Sequence, residues 1–194
     1  DAGNDVYSSL PFRNMGISGR ATYAYDSRYF LELNFGYNGS EKISKKNRYG
    51  FFPSAGLGWV VSNEKFFTPQ IKDIISNLKF KATYGLVGND AISSNRFYYL
   101  SSVNLNDGGK GHVWGEDFGN SYNGYNINNY ANPDVTWEVA EKTNIGLELG
   151  LFGDANLQVD FFKENRTNIY MVREYIPTTM GLTAAIASNI GRAK

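Results

Sequence analysis

Apolar and polar residues alternate with a period of two along much of this chain. From Ile17, residues Ile17, Ala21, Tyr23 and Tyr25 fall on one face and Ser18, Arg20 and Thr22 on the other, which predicts a strand. Asp26-Ser27-Arg28 reads as a hairpin turn, after which Tyr29, Leu31, Leu33, Phe35 and Tyr37 oppose Glu32, Asn34, Gly36 and Asn38. Beyond a polar loop, Phe51, Pro53, Ala55, Leu57, Trp59 and Val61 alternate with Ser54, Gly56 and Gly58. A fourth strand sets Leu78, Phe80, Ala82, Tyr84 and Leu86 against Lys79, Lys81, Thr83 and Gly85; two lysines pointing one way require a wet face. A fifth places Trp137, Val139, Thr143, Ile145, Leu147, Leu149 and Leu151 opposite Glu138, Ala140, Lys142, Asn144, Gly146 and Glu148. After the turn at Gly153-Asp154, Leu157, Val159 and Phe161 oppose Asn156, Gln158, Asp160 and Glu164, and a further strand begins near Asn189-Ile190-Gly191.

Two stretches break the alternation. Thr68-Pro69 reads as a cap with proline in the first turn, and Ile71, Ile74, Ile75 and Leu78 have helical spacing, so one short helix is expected near 68–76. Residues 88–133, rich in Asn and Gly, predict a long functional loop.

Composition narrows the classes. The charge is balanced, 19 Lys+Arg against 19 Asp+Glu with the basic residues scattered, which argues against a nucleic-acid groove. There is no Cys, and the single His, His112, excludes two-His metal motifs, so no metal or cofactor is expected. A hydrolase would have to rest on His112 with Asp107 or Asp117 in a glycine-rich loop, and a non-enzyme is expected. No run approaches the 18 or so apolar residues of a membrane helix, and residues 1–16 lack the order of a signal peptide. A β-barrel hides its apolar surface in alternate residues and passes this test.

Long strands with one apolar-aromatic face and one charged face, joined by alternately short and long connections, fit two different solvents. The expected class is all-β: an antiparallel transmembrane β-barrel segment of about six to seven strands, with long extracellular loops. Tyr25 and Tyr29 at a short turn, and Tyr37 and Trp137 at loop ends, are placed as girdle residues. The alternative is a soluble or secreted β-sandwich that binds carbohydrate, whose apolar faces meet in a core. In lipid an open sheet edge is costly, so this chain is expected to be one section of a larger barrel.

Three ordered blocks carry a resemblance. Arg48-Tyr49-Gly50-Phe51-Phe52-Pro53-Ser54 through Gly58-Trp59, with Ser62-Asn63-Glu64-Lys65-Phe66, is the first. Leu78-Lys79-Phe80-Lys81-Ala82-Thr83-Tyr84-Gly85 with Gly88-Asn89 is the second. Asn132-Pro133-Asp134-Val135-Thr136-Trp137-Glu138, followed by Asn144-Ile145-Gly146-Leu147 and Val159-Asp160-Phe161-Phe162, is the third. Over about residues 13–170 the chain resembles the barrel region of SusC/RagA-family TonB-dependent outer-membrane transporters. It departs from that pattern at Gly36-Tyr37-Asn38-Gly39-Ser40, and the plug domain and TonB box are missing, so residues 1–194 are expected to be a partial barrel domain.

The resemblance implies import of oligosaccharides or peptides across the outer membrane of a Bacteroidetes-like Gram-negative cell. The implied partners are a SusD-like surface lipoprotein over the mouth, TonB-ExbB-ExbD acting through the missing plug, and outer-membrane lipid. It also puts Trp59 and Trp137 at opposite membrane interfaces, whereas the residues alone equally allow two core tryptophans. Trp114, Tyr122, Tyr125 and Tyr130 are candidates for stacking on substrate, or belong to an ordinary outer loop. Lys79, Lys81, Glu138 and Glu148 are candidates for facing the lumen and plug, or merely hydrate the wall. The loop Glu41–Arg48, with Lys45, Lys46 and Arg48, either meets lipid phosphates or is a solvated turn.

Overall fold

The computed structural model describes residues 10–91 and 97–194. Among the described residues are nine strands: β1 (Asn14–Tyr25), β2 (Tyr29–Ser40), β3 (Tyr49–Val60), β4 (Ile75–Asn89), β5 (Ser102–Trp114), β6 (Asn120–Asn129), β7 (Glu138–Leu151), β8 (Ala155–Val172) and β9 (Ala187–Ala193). Seven form one antiparallel sheet in the order β1-β2-β3-β4-β7-β8-β9, and β5 and β6 pair separately as a hairpin. One six-residue helix, α1 (Pro69–Ile74), precedes β4.

The register keeps the two faces distinct across the sheet. Leu33 lies between Ala21 and Ala55, and Leu147 between Phe80 and Val159. On the opposite face Lys81 lies between Gly58 and Gly146, and Gly146 is followed across the sheet by Asp160. Neither face packs against a second layer among the described residues: Leu33 is 47% exposed and Leu57 61%. A sandwich core would bury these side chains. The buried apolar residues Ile43, Val61, Phe67, Tyr98, Val135 and Trp137 all lie in the connections. The sheet is a wall whose packed material sits at its two ends.

The turn between β1 and β2 places Asp26 and Ser27 at φ 51° and 50°. Left-handed backbone at both positions matches the twist of the flanking strands, and Arg28 N–H closes the turn on the Tyr25 carbonyl at 3.0 Å.

The expected short helix is present, and three details of the sequence reading need correction. The helix stops at Ile74, and Ile75, assigned to it by its spacing, opens β4 opposite Leu151. Thr68 caps it without its side chain; its carbonyl accepts from Ile71 and Lys72. The stretch 88–133 is not a structureless loop, since β4 runs on to Asn89 and β5 and β6 pair from Ser102↔Asn129 to Trp114↔Asn120. This hairpin has no apolar layer behind it, so its strands carry no apolar alternation to read. Its register slips at three places in β5 and β6, and Gly124 lets the Lys110 carbonyl come where a Cβ would stand, 2.0 Å away. Trp137, expected at a membrane interface, is buried instead, with its ring N–H on the Arg48 carbonyl at 3.0 Å.

Candidate functional site

The polar face of β4, β7 and β8 carries a charge network that one glycine makes possible. Lys81 Nζ lies 3.3 Å from Glu148 and 3.2 Å from Asp160, and Lys79 lies 3.7 Å from Glu148. To reach Asp160, two strands away, the Lys81 stem crosses Gly146. A Cβ there would stand 2.2 Å from Lys81 Cε and 2.5 Å from Asp160 Oδ1. Glu138 lies further along the same face, paired with Arg166 at 3.8 Å. Lys79, Lys81, Glu138 and Glu148 therefore share one face, with Lys79, Lys81 and Glu148 in one network and Glu138 apart from it. Phe30 and Phe162 lie on this face too, the latter 85% exposed.

At the short-turn end a buried carboxylate ties three elements. Glu64 accepts from Arg28 Nη1 at 2.9 Å, Tyr29 Oη at 2.5 Å and Trp59 Nε1 at 3.1 Å. The Tyr29 and Trp59 donors and the Arg28 charge outweigh burial and hold the Glu64 carboxyl below its ordinary range. Tyr29 stacks on Trp59, their centroids 6.5 Å apart, and Asn63 bonds the Ser27 carbonyl at 2.8 Å. The sequence showed Glu64 only as one position of a motif; its role as the acceptor at the centre of this end needed the fold.

The opposite end is built by the two long connections. Ile43, Tyr98, Val135 and Trp137 form a small core, with Phe52, Val139 and Tyr170 against it. Trp137 meets Phe52 edge-on at 5.3 Å, where the β3–β4 ladder has ended at Ser54↔Gly85. Asparagines supply the main-chain partners this irregular backbone lacks. Asn132 bonds the Ala187 carbonyl at 2.9 Å, Asn189 exchanges bonds with Thr136, and Asn129 bonds the Leu100 carbonyl at 2.8 Å. Burial, with Asp90 and Tyr170 nearby, pushes the Tyr98 hydroxyl well above the usual tyrosine range. Tyr98 Oη has no hydrogen-bond partner among the described residues.

From this base the β5–β6 hairpin projects. His112 pairs with Tyr122 across the hairpin, and Trp114, two residues on, shares their face. Trp114 and Tyr122 are 61% and 64% exposed. Tyr125, three residues from Tyr122 on β6, falls on the other face. Tyr130 lies past the end of β6, where the Thr183 hydroxyl (3.4 Å) and N–H (3.2 Å) meet its oxygen and lower its pKa. The structure thus brings two of the four candidate aromatics together and separates the others. Asp107 turns back onto the Gly109 N–H at 2.9 Å, and the His112 ring lies 6.3 Å from Trp114.

A family model described as TonB dependent receptor-like, beta-barrel matches residues 1–194. The chain belongs to this family. TonB-dependent receptor P3 of Formosa agariphila is 30% identical over 91% of the chain and 16% of its own length. TonB-dependent receptor SusC of Bacteroides thetaiotaomicron is 30% identical over 92% of the chain and 17% of its own length. The solved RagAB peptide transporter superposes with a TM-score of 0.72 at 24% identity, covering 92% of the chain and 18% of that structure. The chain spans under a fifth of the length of each. It is a SusC/RagA-like TonB-dependent barrel segment, and its apolar wall face is the kind that such barrels turn to lipid.

Proposed function

We propose that this segment is one arc of the pore wall of an outer-membrane transporter that imports oligosaccharides or peptides. The observation that carries it is a single-layer wall, apolar on one face, charged on the other, and buried only at its ends. The remaining strands and the plug belong to the rest of the protein, through which TonB-ExbB-ExbD act. The polar face lines the lumen, and Lys79, Lys81, Glu138 and Glu148 face the plug. A SusD-like lipoprotein covers the mouth, at the end bearing the β5–β6 hairpin. The cell is Gram-negative and Bacteroidetes-like, as the sources of the relatives suggest. The peptide class is supported by the likeness to the RagAB peptide transporter, and the oligosaccharide class rests on the resemblance of the three sequence blocks.

Within this reading Trp114 and Tyr122 stack on substrate, with Tyr125 and Tyr130 as outlying contacts. Aromatic faces suit both sugar rings and peptide side chains. Titrating oligosaccharides and peptides into the complete transporter tests the assignment. The Trp114→Ala/Tyr122→Ala variant is expected to bind roughly tenfold more weakly, the loss of about 1.4 kcal/mol of stacking. Unchanged affinity for every ligand that the wild type binds removes the hairpin from the site.

A further inference from the structure

At the long-connection end, just past the aromatic girdle, the structure holds a cavity of about 310 Å³ lined by Arg13, Met15, Gly39, Arg48, Tyr49 and Tyr99. Its position is set by the wall. Tyr37 and Tyr49 stack at 5.2 Å and close the apolar band at this end, as Tyr29 and Trp59 do at the other. Met15 and Tyr49 face outward with Gly39 between them in register, and Met15 is 62% exposed. The bare backbone of Gly39 lets the Tyr49 ring lie across it, where a Cβ would stand 2.5 Å from Tyr49 Cε1.

Two guanidiniums line this cavity, with the Glu41 carboxylate as the acid beside them. Among the described residues no carboxylate is ion-paired to Arg13 or Arg48. Arg48 is held from behind, its carbonyl accepting from Trp137 Nε1 at 3.0 Å and Ser40 N–H at 3.3 Å. Its Nε is buried and has no hydrogen-bond partner among the described residues. Two guanidiniums with no carboxylate paired to them are suited to charge-assisted hydrogen bonds to an anionic oxygen. Lys46, by contrast, is turned to Asp134 at 2.9 Å on the surface, so it is engaged elsewhere while Arg48 lines this cavity.

We propose that the Arg13–Arg48 cavity binds a phosphate of an outer-leaflet lipid headgroup. The layer immediately beyond an aromatic girdle is where headgroup phosphates lie, and an arginine fork suits their oxygens. Met15 and the rings of Tyr49 and Tyr99 supply the apolar side that a lipid needs and a free ion does not. The proposal rests on the lipid-facing reading of the wall, which spin labels on the wall test independently.

The experiment is native mass spectrometry of the complete transporter in detergent, with diphosphorylated lipid A, its dephosphorylated form and inorganic phosphate as probes. Diphosphorylated lipid A is expected to bind roughly tenfold more tightly than the dephosphorylated lipid, and Arg13→Gln/Arg48→Gln is expected to erase that difference. Arg48→Lys keeps the charge and removes the planar guanidinium fork. It is expected to lose roughly threefold, which keeps the test open if the double variant does not fold. Equal binding of the two lipids, or undiminished preference in Arg48→Lys and in the folded double variant, overturns the proposal. Displacement of lipid A by equimolar inorganic phosphate overturns the lipid as occupant.

Discussion

The seven-stranded wall and the β5–β6 hairpin are both antiparallel β-structure, yet only the wall announces itself in the sequence. In the proposed pore wall every second residue meets a different medium, and Tyr29, Leu31, Leu33, Phe35 and Tyr37 alternate with polar neighbours. In the hairpin both faces meet water. Leu105 is 79% exposed and Tyr125 69%, and glycines and asparagines serve as well as any apolar residue. Alternation records a difference between two solvents; strand pairing by itself leaves little trace. The wall is held by ladders between its neighbouring strands, and the hairpin by a small core and asparagine bonds at its base.

The sharpest way to separate the two regions is at that base. Trp137→Ala removes the largest ring of the small core and one of the two donors to the Arg48 carbonyl. It is expected to destabilise the base by about 3–5 kcal/mol. Limited proteolysis of the complete protein should then cut within 97–136 while the wall stays protected; unaltered protection breaks the distinction.

Next in size is a charge on the wall. Leu33→Arg, midway between Tyr29 and Tyr37, is expected to lower folding stability in bilayers by about 2–4 kcal/mol. Leu105→Arg on the hairpin is expected to change it by no more than about 0.5 kcal/mol. Urea titration of the two variants in lipid vesicles compares them directly, and equal losses would show that the regions share one environment.

The smallest effect is expected at the short-turn end. Because its surroundings lower the folded pKa of Glu64, that carboxylate stabilises the fold fully at neutral pH, above the ordinary value of 4.5. The contribution is lost as the pH falls through that value toward the lower folded one. The difference in unfolding midpoint between wild type and Glu64→Gln should therefore be greatest at neutral pH and shrink on acidification. A difference independent of pH would detach Glu64 from this role.

How much of this was legible follows from the same physics. The faces of β1–β4, β7 and the first half of β8 could be read because lipid-type and water-type residues alternate there. The second half of β8 could not: Lys163 and Asn165 stand on the face that Phe161 and Val159 began, and the apolar signal stops while the strand continues to Val172. Ile75 has helical spacing with Ile71 and Ile74, yet its place in β4 is decided by pairing with Leu151, a contact distant in sequence. Trp137 fits the alternation of β7, and only the fold of 41–48 over 132–137 shows that it is buried. Of the candidate site, the charged face of β4 and β7 was visible as a pattern. Asp160 as the second partner of Lys81, and Gly146 as the gap that admits it, depend on register between strands.

The central claim is that the apolar face of this wall meets lipid. It is tested most directly by nitroxide labels at Leu33 and Leu147 in the complete transporter, reconstituted in bilayers, with a label at Ser54 on the opposite face. High collision with oxygen and little with a water-soluble relaxant at Leu33 and Leu147, and the reverse preference at Ser54, is the result expected. Labels at Leu33 and Leu147 shielded from both relaxants, as against packed protein, would contradict it.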